Sequence, residues 1–152
     1  MMKRNLLDKQ AADEVISRVQ SLKITDKAHW GAMEVTEMLH HCYMANKNIL
    51  ENEPDNPKAT LKQVLIKTLF LYILPAFPKN VKGPKRIDPK LSKILPDQFE
   101  EKRSKLLQTI QQFSERKTPI EVTHPFFGKL NTKQWGVFTW MHMDHHLRQF
   151  GV

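Results

Sequence analysis

Apolar side chains return at every third or fourth position in four separate stretches of this chain, and prolines or short polar runs divide the stretches. That period belongs to helices with one buried face, so the chain must pack helix against helix. The first stretch, about Asn5 to Leu22, lines up Leu7, Ala11, Val15, Val19 and Leu22. The second, about Glu34 to Asn52, carries the seam Val35, Met38, Leu39, Cys42, Ala45 and Ile49, and Pro54 and Pro57 close it. The third, about Asp97 to Lys117, buries Phe99, Leu106, Ile110 and Phe113, with Asp97 and Glu100 at capping-box spacing. The last follows the pair Asn131 and Gln134, again at that spacing, and ends at Gly151. Thr60 to Leu74 is apolar on nearly every side and stops at Pro75, after which prolines and lysines to Pro96 read as loop. The expectation is an all-α four-helix bundle with an additional apolar helix and a Pro/Lys-rich loop, one domain over residues 1–152.

Composition removes several function classes. A single cysteine, Cys42, excludes an intramolecular disulfide and a Cys-rich zinc module. The most apolar run, Val64 to Phe77, contains Lys67, is broken by Pro75, and falls short of the ~20 apolar residues of a membrane span. No secretory signal is apparent, so a cytoplasmic protein with no membrane association is expected. The net charge is +8, with Lys79, Lys82, Lys85, Arg86, Lys90 and Lys93 spread through the Pro-rich segment. No aromatic side chains interleave with them and no reading module is recognisable, so a solvated loop is expected rather than a nucleic-acid site.

Five of the seven histidines fall in two groups, His40-His41 and His142, His145, His146. At ~100° per residue, His41 lies beside the Met38–Ala45 seam while His40 points away. On the last helix His142 is central, with His146 about 40° to one side and His145 about 60° to the other. His142 and His146 therefore share a face, which also carries Trp135, Phe138, Thr139 and Gln149 and should point inward. Neutral imidazole is a common ligand for zinc, nickel and related ions, and three histidines with an open fourth position suit a catalytic site. A metal there can ionise a bound water or thiol at neutral pH. Met143 follows His142 where a zincin requires glutamate, which argues against a metalloprotease. Spacing alone leaves a second reading open, in which these are half-buried histidines hydrogen-bonded to carbonyls or to Asp144.

Two longer stretches carry a family resemblance. One runs His124-Pro125-Phe126-Phe127-Gly128-Lys129-Leu130, Gln134-Trp135-Gly136 and His142-x-Asp144-His145-His146-Leu147-Arg148-Gln149-Phe150-Gly151. The other is Trp30-Gly31-x-Met33 leading into Glu37-Met38-Leu39-x-His41-Cys42. Together with the Pro-Lys pattern from Phe77-Pro78 to Pro89, they resemble a domain-of-unknown-function family within the DinB-like superfamily. That resemblance implies a four-helix bundle, often dimeric, with a divalent metal held by one histidine of helix two and two of the last helix. Carried over, these are His41, His142 and His146. Glu34 stands where the family usually has Ser or Thr as the helix-two cap, which leaves the start of that helix open.

The resemblance further implies a metal-dependent enzyme that transfers a low-molecular-weight thiol of the bacillithiol, mycothiol or glutathione type to a small-molecule electrophile. A metal-dependent hydrolase and a non-catalytic, stress-associated metal-binding protein are the alternatives. Zinc or nickel is the expected ion; manganese and iron accept the same ligands. His145, Gln149, His124 and Trp135 are expected to line the site or support its ligands. Pro125 holds His124 in an extended or turn conformation, where packing is favoured over a role beside the metal. His29 is expected in a loop and Cys42 as a packing residue. The apolar helix from Leu61 to Leu74 has more apolar surface than one contact would hide, so it should cover the site mouth or pair two copies into a homodimer.

Overall fold

The structure, a computed structural model, describes residues 3–55, 57–80 and 93–152. Its elements are α1 (Lys9–Ser21), α2 (Val35–Glu51), α3 (Leu61–Thr68), α4 (Phe99–Glu115), a hairpin of β1 (Thr123–His124) and β2 (Gly128–Lys129), and α5 (Thr132–Gln149). α1 packs on α4 and α5, and α2 packs on the same two helices, so the four close into a ring. Val15 and Val19, Met38, Leu39 and Cys42, Leu106, Ile110 and Phe113, and Met143 and Leu147 fill its centre and are fully buried. Each such side chain contributes about 1.5–3 kcal/mol by leaving water. The all-α bundle expected from the apolar period is the fold.

The ends of the helices differ from expectation where side chains compete for the backbone. α1 begins at Lys9 rather than Asn5, because Asn5 Oδ1 takes the Leu7 N–H at 2.9 Å and the Asn5 carbonyl takes the Asp8 N–H at 3.0 Å. α4 begins at Phe99, and Asp97 lies inside a 3₁₀ turn, Pro96–Gln98, instead of capping the helix. α5 starts as the sequence indicates: Asn131 Oδ1 accepts the Gln134 N–H at 2.8 Å, and Gln134 Oε1 accepts the Asn131 N–H at 3.0 Å. Gly151, at φ 78°, ends it.

α3 stands outside the ring, against β2, and runs into a π-helical turn, Leu69–Ile73, that packs on α5. Lys3 caps this turn: its ammonium donates to the Phe70 carbonyl at 2.8 Å and the Leu74 carbonyl at 2.5 Å. The expected loop residues Lys82, Lys85, Arg86 and Lys90 lie outside the described residues.

The N-terminal segment crosses α5 at Gly136, whose carbonyl accepts the Leu6 N–H at 3.0 Å. A methyl on Gly136 would sit 1.9 Å from Asn5 Oδ1 and 2.8 Å from Leu7 Cγ. Gly136→Ala should therefore cost about 1–3 kcal/mol, since the crossing must open. A thermal melt within a degree of the parent would show that the crossing is looser than this.

Candidate metal centre

The ring places α2 beside α5, and one histidine of α2 meets two of α5. His41 and His146 are buried and His142 is half-buried. One imidazole nitrogen from each of the three lies within 4.8 Å of the others. His41 Nε2 and His142 Nε2 are 3.2 Å apart although 101 residues separate them in the chain. Two nitrogens bound at ~2.05 Å to one tetrahedral zinc stand about 3.3 Å apart, so this pair already has the spacing of shared coordination. His146 completes the set after a ring shift of under about 1.5 Å to reach that spacing. Among the described residues, no fourth His, Cys, Asp or Glu joins the group. These three histidines are close enough to hold a metal ion between two helices.

Helix α5 presents them as its period requires. His142 and His146 are four residues apart with ring centroids at 4.7 Å, and the ring of His41 lies 5.2 and 4.8 Å from theirs. Trp135, Thr139 and Gln149 share the inward face and are buried. Phe138 stacks parallel to the His142 ring at 5.9 Å. Burial pushes His146 down to about 3, helped by His41, while its bond to Gln149 opposes the shift. Burial, then His146 and His41, hold His142 well below the usual imidazole range. Both rings are therefore neutral at pH 7, the state in which imidazole donates to a metal.

A further line of contacts fixes His146. Its Nδ1 lies 3.0 Å from Gln149 Oε1, and Gln149 Nε2 donates to the Trp30 carbonyl at 2.7 Å. His29 N–H donates to the Gln149 carbonyl at 2.8 Å, so the loop before α2 is tied to the end of α5. The spacing of Gln149, three residues after His146, signals this contact; the role of the Trp30 carbonyl has no side-chain signature. Gly31, at φ 80°, is where this loop meets Gln149, and a methyl there would sit 2.6 Å from Gln149 Nε2.

The match over residues 1–151 is to the family described as a protein of unknown function, DUF1569. The chain belongs to the DUF1569 family. No curated protein and no solved structure matches it.

In this DUF1569 chain the remaining histidines lie outside the trio. His40 is half-buried beside Tyr43, and burial with Lys102 and Lys105 lowers its pKa. His145 packs edge-on against Trp30 at 6.0 Å and lies 6.4 Å from the Phe77 ring. Lys79 lies 4.3 Å over the Trp30 ring, so the segment Phe77–Lys79 is pinned across this end of α5. Phe77 also packs on Phe138, 5.6 Å away. The sequence marks that covering segment only as loop.

His124 makes the hairpin. Its Nδ1 accepts the N–H groups of Phe126 and Phe127 at 3.1 and 3.2 Å, as an Asn side chain does in a turn. The ring stacks on Phe127 at 4.4 Å and meets Phe138 edge-on at 4.6 Å. Burial lowers its pKa to about 4. Trp135 packs on His124 and Phe138, and its indole N–H donates to the Val122 carbonyl at 3.1 Å. It therefore supports Phe138, the ring that stacks on His142. Cys42 is fully buried, with its thiol pushed up by burial, and packs as expected.

Proposed function

We propose that this DUF1569 chain is a divalent-metal-dependent enzyme, with His41, His142 and His146 as the protein ligands and one position left for substrate. The observation that carries it is the 3.2 Å approach of His41 Nε2 to His142 Nε2 with His146 beside them. Three neutral imidazoles, with no acidic or thiol ligand joining them among the described residues, suit zinc or nickel. A divalent ion held there would supply Lewis acidity, bringing a bound thiol or water into its ionised form near pH 7. Gln149 keeps the His146 ring turned and selects its tautomer, and Phe138 and Phe77 shield the His142 side from bulk water.

The resemblance to the DinB-like superfamily favours a low-molecular-weight thiol over water as the nucleophile, and an electrophilic small molecule as its acceptor. Thiol transfer is tested by loading the protein with zinc or nickel and offering bacillithiol, mycothiol or glutathione with an activated aryl halide. Turnover should depend on metal and disappear in His142→Ala. A metal-loaded protein inert with all three thiols overturns the transferase reading. Gln149→Ala should weaken metal affinity about 10–100-fold by freeing the His146 ring; unchanged affinity would show that Gln149 does not orient it. His40→Ala should leave affinity as it is.

A further inference from the structure

The exposed face of α3 and the π-helical turn carries a row of apolar side chains, with Thr68 among them. Leu61, Leu65 and Leu69 follow one another at four-residue spacing and are 76%, 63% and 40% exposed. Val64, Tyr72 and Ile73 extend the row at 40%, 62% and 67%. Phe126, at the tip of the hairpin, is a further exposed ring, and Gln63 of α3 donates to the neighbouring Pro125 carbonyl at 3.2 Å. A continuous row of this kind exceeds the scattered apolar residues of an ordinary wetted surface.

The segments that carry this face hold lysines and no acidic residue, with Asp55 and Glu121 at their edge. From Asn56 to Ile87 the chain has no Asp or Glu, and none from Val122 to Met143. These segments supply α3, the π turn, the hairpin and the first half of α5, which pack on one another. Lys58, Lys62 and Lys133 are exposed on them, and Lys67 donates to the Lys129 carbonyl at 3.2 Å. A second copy of the chain packed through this face would bring lysines near lysines with no acidic side chain from these segments between them. The sequence suggested a homodimer through this helix, and the charge pattern opposes it.

We propose that this face docks on an anionic lipid surface. A helix with Leu, Ile and Tyr on one side and lysines at its margins lies in the interface plane, its apolar side among the acyl chains and its ammonium groups at the phosphates. No described helix is long and apolar enough to cross a membrane, and lying on the surface needs no such length.

The full chain is tested by co-sedimentation with phosphatidylcholine vesicles with and without phosphatidylserine. Binding should require phosphatidylserine and weaken as salt is raised. Each lysine near the surface adds about fivefold to partitioning, so a Lys58→Ala, Lys62→Ala pair should lose roughly 25-fold. Leu65→Glu with Ile73→Glu should abolish binding while metal content and melting temperature stay at parental values, because both side chains already face water. Absence of binding to the anionic vesicles overturns the proposal, as does equal binding by the glutamate variant. A dimer in sedimentation that this variant dissociates also overturns it, and assigns the face to a second copy.

Discussion

Lowering the pH of the metal-free protein from 7.5 to 5 should destabilise it by about 4 kcal/mol through His124 and His146 alone, and His142 adds to the loss in the same direction. In the unfolded chain His124 and His146 take up protons below ~6.5. In the folded protein burial holds them neutral until about 4 and about 3. Between those values the unfolded state binds more protons, so stability falls as pH falls through the window and is complete above ~6.5. At pH 5 each group accounts for about 2 kcal/mol. For a chain of this length the total is on the order of a 10 °C drop in melting temperature. His124→Asn isolates one contribution. Asparagine offers Oδ1 to the Phe126 and Phe127 N–H groups as the imidazole nitrogen does, so the turn survives while the titration is lost. The variant melts lower at pH 7.5, having lost the Phe127 and Phe138 contacts, but its loss of stability between pH 7.5 and 5 should be smaller than the parent's by about 2 kcal/mol. A parental slope in His124→Asn would mean that His124 is not held neutral.

The second large effect concerns the trio. A ligand that binds the folded chain alone stabilises it by about 4 kcal/mol at a thousandfold excess over its dissociation constant. Zinc at that excess should raise the melting temperature on the order of 10 °C at pH 7.5, and chelator should return it to the metal-free value. The double variant His142→Ala, His146→Ala should show no zinc shift at all. Its own melt separates the two readings of the spacing. If zinc and chelator leave the parent unmoved, the 3.2 Å approach of His41 to His142 is an imidazole–imidazole hydrogen bond inside a closed bundle.

The inward turn of His41 and of the His142–His146 pair was legible because both rest on helix angle, which a regular helix preserves through its length. His40 and His145 fall outside the trio for the same reason. The α5 start was legible because Asn131 and Gln134 bond each other locally. Asp97 and Glu100 have the same spacing, yet Pro96 opens a 3₁₀ turn there and moves the start of α4 to Phe99. The hairpin was not legible, since its strands have two residues each and its turn depends on an imidazole acting as an asparagine would. Nor was the loop around Trp30, whose contribution is a backbone carbonyl offered to Gln149. Contacts made by backbone across long sequence separations leave little trace in residue type.

Calorimetric titration of the metal-free protein with zinc at pH 7.5 tests the central claim most directly, with single alanine variants of all five clustered histidines. The parent, His40→Ala and His145→Ala should each bind one zinc per chain with similar affinity. His41→Ala, His142→Ala and His146→Ala should each lose binding by orders of magnitude. A parent that takes up no zinc contradicts the account, as does a loss in His40→Ala or His145→Ala equal to that in His41→Ala.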